Sequence, residues 1–282
     1  MMKKAVLFFL VLLINLTLAA EPELEKITST DAVFDTPESV NYDSSRKHLY
    51  ISNINGKPTQ ADGNGYISTI SITGKMINKK WVTGLNAPKG AAIRDNILYV
   101  TDINRVVAIN IDSAEIIETY PCGTARFLND LAIDNNGIVY ISDSSPENSV
   151  IYRLMNGKIE KWLEGESINS PNGLCLDGDY LYFGNSGDKS IKKANLNTAE
   201  IEFVAEVGTG IDGLRIDHQG NFITSNWSGK TTIVTPTGEK NTLINTTDEK
   251  INAADLEYIP DQRLLYIPTF FDNRIFLYKL KY

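Results

Sequence analysis

The chain has 282 residues, 42% of them apolar and 22% charged, with 27 basic against 35 acidic side chains and a formal charge of −8. An acidic chain without a basic run is poorly suited to neutralising phosphates, which argues against a nucleic-acid partner. Two cysteines without a Cys-x-x-Cys spacing exclude the common zinc-ribbon and dithiol signatures.

In chain order, Lys3 and Lys4 precede the apolar run Ala5 to Leu16, and Thr17-Leu18-Ala19 supplies a small-x-small cleavage pattern. That is the pattern of a secretory signal over residues 1–20. The competing assignment, an uncleaved anchor, suffers from a run shorter than the ~20 residues that a span requires. No cysteine follows the run, so lipoprotein processing is not indicated. Loss of Lys3 and Lys4 would move the formal charge from −8 to −10. An exported protein, periplasmic or secreted, is therefore expected. Residues 21–282 suffice for one well-buried domain and are too few for a second beside it.

From residue 37 onward the chain repeats. Six copies begin Pro37-Glu38-Ser39-Val40, Pro88-Lys89-Gly90-Ala91, Leu128-Asn129-Asp130-Leu131, Pro171-Asn172-Gly173-Leu174, Ile211-Asp212-Gly213-Leu214 and Ala253-Ala254-Asp255-Leu256. Each continues through a turn, such as Asp134-Asn135-Asn136-Gly137, into a second strand anchored by Tyr50, Tyr99, Tyr140, Tyr182, Phe222 or Tyr266. Two further alternating segments follow in each copy, as in Val150–Leu154 and Gly157–Trp162. A period of roughly 40 to 50 residues with four short strands per copy predicts an all-β, six-bladed β-propeller of antiparallel blades. The last copy is one strand short, and Leu24–Phe34 precedes the first copy without inner strands of its own. The N-terminal strand is expected to complete the last blade and remove an exposed sheet edge.

The second residue of each copy falls at one geometric position, at the start of the innermost strand. There stand Glu38, Lys89, Asn129, Asn172, Asp212 and Ala254. Two carboxylates and two carboxamides converging on one axis suit a hard divalent cation, with calcium favoured and magnesium, manganese or zinc as alternatives. Singly, Asx before Gly is an ordinary turn former and Glu38 an ordinary loop acid; their common register is what points to a site. Lys89 either holds an anionic substrate group or turns outward. The polar residues ending the second strands, Asn53, Asp102, Asp143, Asn185 and Asn226, read first as hydrogen-bonding cement, with Asn185 and Asn226 the candidates to contact substrate. The insertion Ile54–Gly65 is either a flap over the axial opening or a solvated loop. His48 and His218 both fall at the turn away from the site, which leaves no histidine for a nucleophilic triad there. Cys122 and Cys175 belong to different blades, and Cys175 is expected as a buried free thiol.

The segments Pro37-Glu38, Asn129–Asp134, Ser170–Leu174 and Ile211–Leu214, one per blade and in order, resemble the senescence marker protein/gluconolactonase (regucalcin-like) family, relatives of paraoxonases and diisopropyl fluorophosphatase. The resemblance implies a six-bladed propeller with one axial divalent cation held by Glu38, Asn172 and Asp212. Asn129 would be a further ligand or substrate contact. It also implies lactone hydrolysis, with Asp212 as general base. Sugar-lactone hydrolases of the family often carry an arginine two residues before the position of Asn129; here Phe127 stands there and Arg126 lies three away, as a candidate substrate contact. The paraoxonase-like histidine pair is missing. The expected function is a metal-dependent lactonase acting on a small molecule. The rivals are a phosphotriesterase-like esterase with the same metal centre, and a non-catalytic binding propeller with a structural ion.

Overall fold

The computed structural model describes residues 21–282, and the expected signal segment lies outside them. Among the described residues, six four-stranded antiparallel sheets follow one another as the blades of a propeller. Their innermost strands are Pro37–Asp43, Pro88–Arg94, Leu128–Ile133, Pro171–Asp177, Leu214–Ile216 and Glu257–Ile259. Neighbouring inner strands touch in a closed ring, the first against the last. Glu23–Ser29 pairs antiparallel with Ile275–Lys281, so the N-terminal strand is the outermost strand of blade 6 and covers its edge. A Lys281–Glu25 ion pair at 2.8 Å adds to that closure. No helix among the described residues is long and apolar enough to cross a membrane.

The burial pattern follows from sandwiching. Second strands such as Val139–Asp143 are buried throughout because a blade lies on either side, while outer strands such as Lys158–Glu164 are mostly open to solvent. The core is consequently a set of inter-blade clusters. Tyr50, Ile67 and Val82 of blade 1 meet Leu98, Val100 and Val107 of blade 2. Phe34, Leu49 and Ile51 meet Tyr266 and Leu277 where blade 6 returns to blade 1.

A polar seam also ties the blades together near the axis. Ser39 Oγ donates to the Lys89 carbonyl (2.7 Å), Ser144 Oγ to Pro171 (2.6 Å) and Ser225 Oγ to Ala254 (2.6 Å). Thr101 Oγ1 donates to the Asn129 carbonyl and Ser186 Oγ to that of Ile211. The Asp255 amide closes the circuit on the Glu38 carbonyl at 2.9 Å. Each blade thus fastens a carbonyl of the next, at or beside the position from which the candidate site is built.

Room at this seam is scarce. A Cβ on Gly173 would lie 2.6 Å from the Leu214 nitrogen, and one on Gly213 would lie 2.6 Å from the Leu256 nitrogen. These glycines follow Asn172 and Asp212 because the next blade's backbone passes over them. Gly213→Ala is expected to destabilise the protein by about 1–3 kcal/mol through overpacking, measured by urea unfolding. Gly123→Ala, whose Cβ would meet nothing within 4 Å, should stay within about 0.5 kcal/mol of the parent. Equal effects of the two substitutions would contradict this account of the seam.

Candidate active site on the propeller axis

Each axial residue is placed by a device that recurs from blade to blade. The polar residue ending the second strand fastens the loop that enters the inner strand of the same blade. Asn53 Oδ1 accepts the Asp35 amide (3.1 Å), and Asp102 accepts those of Asn86 and Ala87. Asp143 accepts the Arg126 and Phe127 amides, Asn185 Oδ1 accepts that of Asn169, and Asn226 Nδ2 donates to the Gly210 carbonyl (2.7 Å). Two or three residues later, in blades 1 to 4, the ladder between first and second strands breaks register at Glu38, Lys89, Asn129 and Asn172. A break of this kind re-aims a side chain. In blade 5 the regular strand starts only at Leu214, and Asp212 is held instead by its amide on the Ser225 carbonyl.

Glu38, Lys89, Asn129, Asn172 and Asp212 are all buried and all line one cavity at the axis. Asn172 Nδ2 donates to Asp212 Oδ1 at 2.8 Å, which fixes both groups. Glu38 Oε2, Asn129 Oδ1 and Asn172 Oδ1 are buried without any hydrogen-bond partner. Unpaired buried oxygens are costly, and three of them on one axial ring beside the Asp212 carboxylate are a donor set that fits a hard cation. Among the described residues no three His, Cys, Asp or Glu side chains form a metal-binding group; the set has two carboxylates, and carboxamides supply the rest. Burial, with the nearby charges of Asp212 and Asp255, holds the Glu38 carboxyl well above the usual range. Burial likewise raises Asp212 to about 7, against the Asn172 hydrogen bond.

Lys89 is 1% exposed and turns inward. Its Nζ donates to the carbonyls of Pro58 (3.1 Å) and Ala87 (3.3 Å) and lies 4.4 Å from the centre of the Phe127 ring. Burial lowers it to about 8, while Glu38 favours its charge.

Beneath this ring lies a second charged layer. Asp130 and Asp255 are each 1% exposed, and Arg215 reaches both, at 3.8 and 3.6 Å, as well as Glu257 at 3.4 Å. The Leu131 and Leu174 amides satisfy Asp130, whereas neither oxygen of Asp255 has a hydrogen-bond partner. Burial raises both acids, most strongly Asp255. Over the two layers five carboxylates face two cations, a formal excess of three negative charges.

Above the ring the cavity has a volume of about 580 Å³. Its walls include Ile54, Pro58, Phe127 and Ile211, and a cluster of Trp227, Phe270 and Phe271 stands at one side. The three rings meet edge-to-face with centroids 4.8 to 5.8 Å apart.

Several expectations need correction. Arg126 is exposed and is not among the cavity-lining residues; its amide is tied to Asp143, and Phe127 takes the cavity side. Asn185 is fully buried in its capping role, and its neighbour Ser186 lines the cavity instead. Asn226 does lie on the wall, but its amide serves Gly210 and its oxygen accepts from Ser228. The insertion is part wall and part surface: Ile54, Gly56, Lys57 and Pro58 line the cavity, while residues 59–64 are exposed. Cys122 and Cys175 are free, Cys175 only half-buried. The lower charged layer has no expectation from sequence behind it, although Asp130 and Asp255 stand one residue after the ring position and Arg215 and Glu257 three after it. Phe270 and Phe271 lie in a connection of the last blade that carries no repeat signal.

Fold and site define a six-bladed propeller with a buried, oxygen-rich axial centre. Residues 36–270 match the family described as SMP-30/Gluconolactonase/LRE-like region, and the chain belongs to it. A gluconolactonase from Xanthomonas campestris is 15% identical with a TM-score of 0.65, over 92% of this chain and 89% of that one. A catalytically inactive histidine-to-alanine variant of virginiamycin B lyase from Staphylococcus aureus, solved with quinupristin, is 14% identical with a TM-score of 0.64, over 92% and 99%. A streptogramin B lyase is 13% identical with a TM-score of 0.67, over 92% and 98%. At these identities the likeness is one of fold. No curated protein matches the sequence.

The lower layer generates a prediction. Arg215→Met leaves Asp130, Asp255 and Glu257 without a counter-charge and is expected to cost about 3–5 kcal/mol, as when one partner of a buried pair is removed. Urea unfolding at neutral pH reads the loss. A change under about 1 kcal/mol would mean that these acids do not depend on Arg215.

Proposed function

We propose that the protein is a metal-dependent hydrolase of small lactones or related esters. Family membership supports a lactonase-type activity. The observation that carries the reading is the set of unpartnered oxygens of Glu38, Asn129 and Asn172 beside Asp212, at the floor of a cavity large enough for a small molecule. Glu38, Asn172 and Asp212, with Asn129, would hold one divalent cation, calcium by preference of the oxygen donors over softer metals. Such an ion, when bound, polarises a carbonyl as a Lewis acid and lowers the pKa of water.

The chain's own residues supply the remaining steps. Asn129 orients the substrate carbonyl over the ring. Asp212, whose other face is fixed by Asn172, takes the proton as the water oxygen bonds to the carbonyl carbon. The ring C–O bond then breaks, the leaving alkoxide receives that proton, and a hydroxy acid results. Lys89, with two of its three protons on carbonyls, keeps a positive charge beside Glu38 and lowers the cost of a negative floor.

Other chemistries fit less well. His48 lies at the start of the second strand of blade 1, and His218 bonds the Tyr258 hydroxyl at 3.0 Å; neither lines the cavity. A histidine-dependent reaction like that implied by the inactive lyase variant therefore lacks its residue here. A binding propeller with a structural ion would use the same oxygens, and it is the family match that favours the hydrolase. Export, proposed from residues 1–20, is compatible with supply of calcium from outside the cell.

Two outcomes test the reading. In chelator-treated protein, calcium, magnesium, manganese and zinc are restored separately. At about 100 times its Kd the preferred ion should stabilise by about 2.7 kcal/mol, a Tm rise of roughly 5–10 °C for a domain of this size. Lactone hydrolysis should appear only with that ion. Asp212→Asn should retain the fold and lower kcat by about 10²–10⁴-fold. Undiminished turnover in Asp212→Asn would remove Asp212 as the base, and neither Tm rise nor turnover with any ion would leave no support for a metal-dependent hydrolase.

A further inference from the structure

We infer that the cavity above the axial ring accepts an ester or lactone bearing an apolar alkyl or aryl arm, not a polyhydroxylated sugar lactone. The inference rests on the hydrolase reading for the reacting group, and on the cavity walls alone for the arm.

The walls above the floor are built from Ile54, Phe127, Ile211, Trp227, Phe270 and Phe271. Most of the polar side chains beside them are already committed. Asn226 uses its amide on Gly210 and its oxygen on Ser228, and Ser186 Oγ donates to Ile211. Lys89 is held between two carbonyls, and Arg126, which could have read a hydroxyl or carboxylate, stays outside. Lys57 brings the one exposed charge of the lining, at the rim. A sugar ring carried into this space would bring several hydroxyls that must shed water and find partners. With the wall groups engaged they would go unpaired, and unpaired buried hydroxyls weigh against binding. An alkyl or aryl arm makes no such demand.

The aromatic cluster gives the arm a place. Trp227 is 47% and Phe271 61% exposed, and the two rings adjoin, so they form one contiguous apolar patch at the cavity side. They form edge-to-face pairs with each other and with the nearly buried Phe270. The wall is also fixed in position. Phe270 has φ 48°, a region that bulky side chains rarely adopt. Its turn is closed by the Asn273 amide on the Phe270 carbonyl, and Asn273 Oδ1 accepts the Thr36 amide of blade 1 at 2.9 Å. On the other flank Asn252 Nδ2 holds the Trp227 carbonyl at 2.7 Å. An arm extending from the ring carbonyl would lie against these faces and remove apolar surface from water on both sides.

The test separates binding from turnover. Non-hydrolysable cyclopentanones carrying methyl to octyl chains are titrated into the metal-loaded protein by calorimetry, beside gluconolactam as the polyhydroxylated probe. Affinity should tighten about threefold per methylene over the shorter members, and gluconolactam should bind weakly or not at all. Phe271→Ala and Trp227→Ala, both at exposed positions, should flatten that slope to less than about 1.5-fold per methylene. A flat series, gluconolactam binding as tightly as the octyl ketone, or no binding by any probe would overturn the inference. Hydrolysis of the matching γ-lactones is read separately. Chain-length-dependent binding without turnover keeps the apolar arm and removes the hydrolase. Turnover of gluconolactone above that of the alkyl lactones keeps the hydrolase and removes the arm.

Discussion

Charge confined to a narrow axis is the constraint on which the rest of the molecule depends. Six inner strands crowd together, and on them stand Glu38, Asp130, Asp212, Asp255 and Glu257 against Lys89 and Arg215. Two like charges 4 Å apart repel by about 4 kcal/mol at an effective dielectric constant near 20. An excess of three negative charges is therefore comparable with the whole stability of a domain. The chain meets it in two ways. In the lower layer Arg215 is shared by three acids. In the upper ring burial raises Glu38 and Asp212 toward their protonated forms, which a bound divalent cation would make unnecessary.

Such a ring is useful only if it cannot relax. The hydroxyl seam and the second-strand Asx caps together prevent that. Each entry loop is held from within its own blade, and a carbonyl at or beside each ring position from blade 2 to blade 6 is held by a hydroxyl of the preceding blade. An oxygen that swung away to satisfy itself would have to break register at the break in the ladder and release the neighbouring blade as well. Glycines at 173 and 213 belong to the same construction, since only a missing Cβ lets the next backbone come close enough.

What was legible in the sequence was whatever the repeat wrote more than once. Glu38, Asn129, Asn172 and Asp212 were found because they share a register, and the structure brings them to one cavity. The closing strand was found because a copy lacked its fourth strand. Asp130, Asp255 and Arg215 share registers too, but polar residues one or three places into a buried strand look like isolated exceptions until the axis shows that they meet. Arg126 was misjudged because distance along a chain says nothing about direction: with its amide fixed on Asp143, the next residue faces the cavity and it does not. Asn185 and Asn226 look alike in sequence, and only the packing distinguishes a fully buried cap from one that also forms a wall. Phe270 and Phe271 had no register to betray them.

That last contrast separates the origins of reaction and specificity in this propeller. The floor is written in the repeat, so it is rigid, redundant in its supports and restricted to oxygen donors. The walls draw partly on segments outside the repeat, the insertion after Asn53 and the connection around Phe270, beside Phe127 and Ile211 from the entries to blades 3 and 5. The Pro58 carbonyl also accepts from Lys89 Nζ at 3.1 Å, so the insertion is tied to the charge balance of the floor as well as to the wall. The floor offers carboxylates and carboxamides but no histidine, and the rim above it is largely apolar.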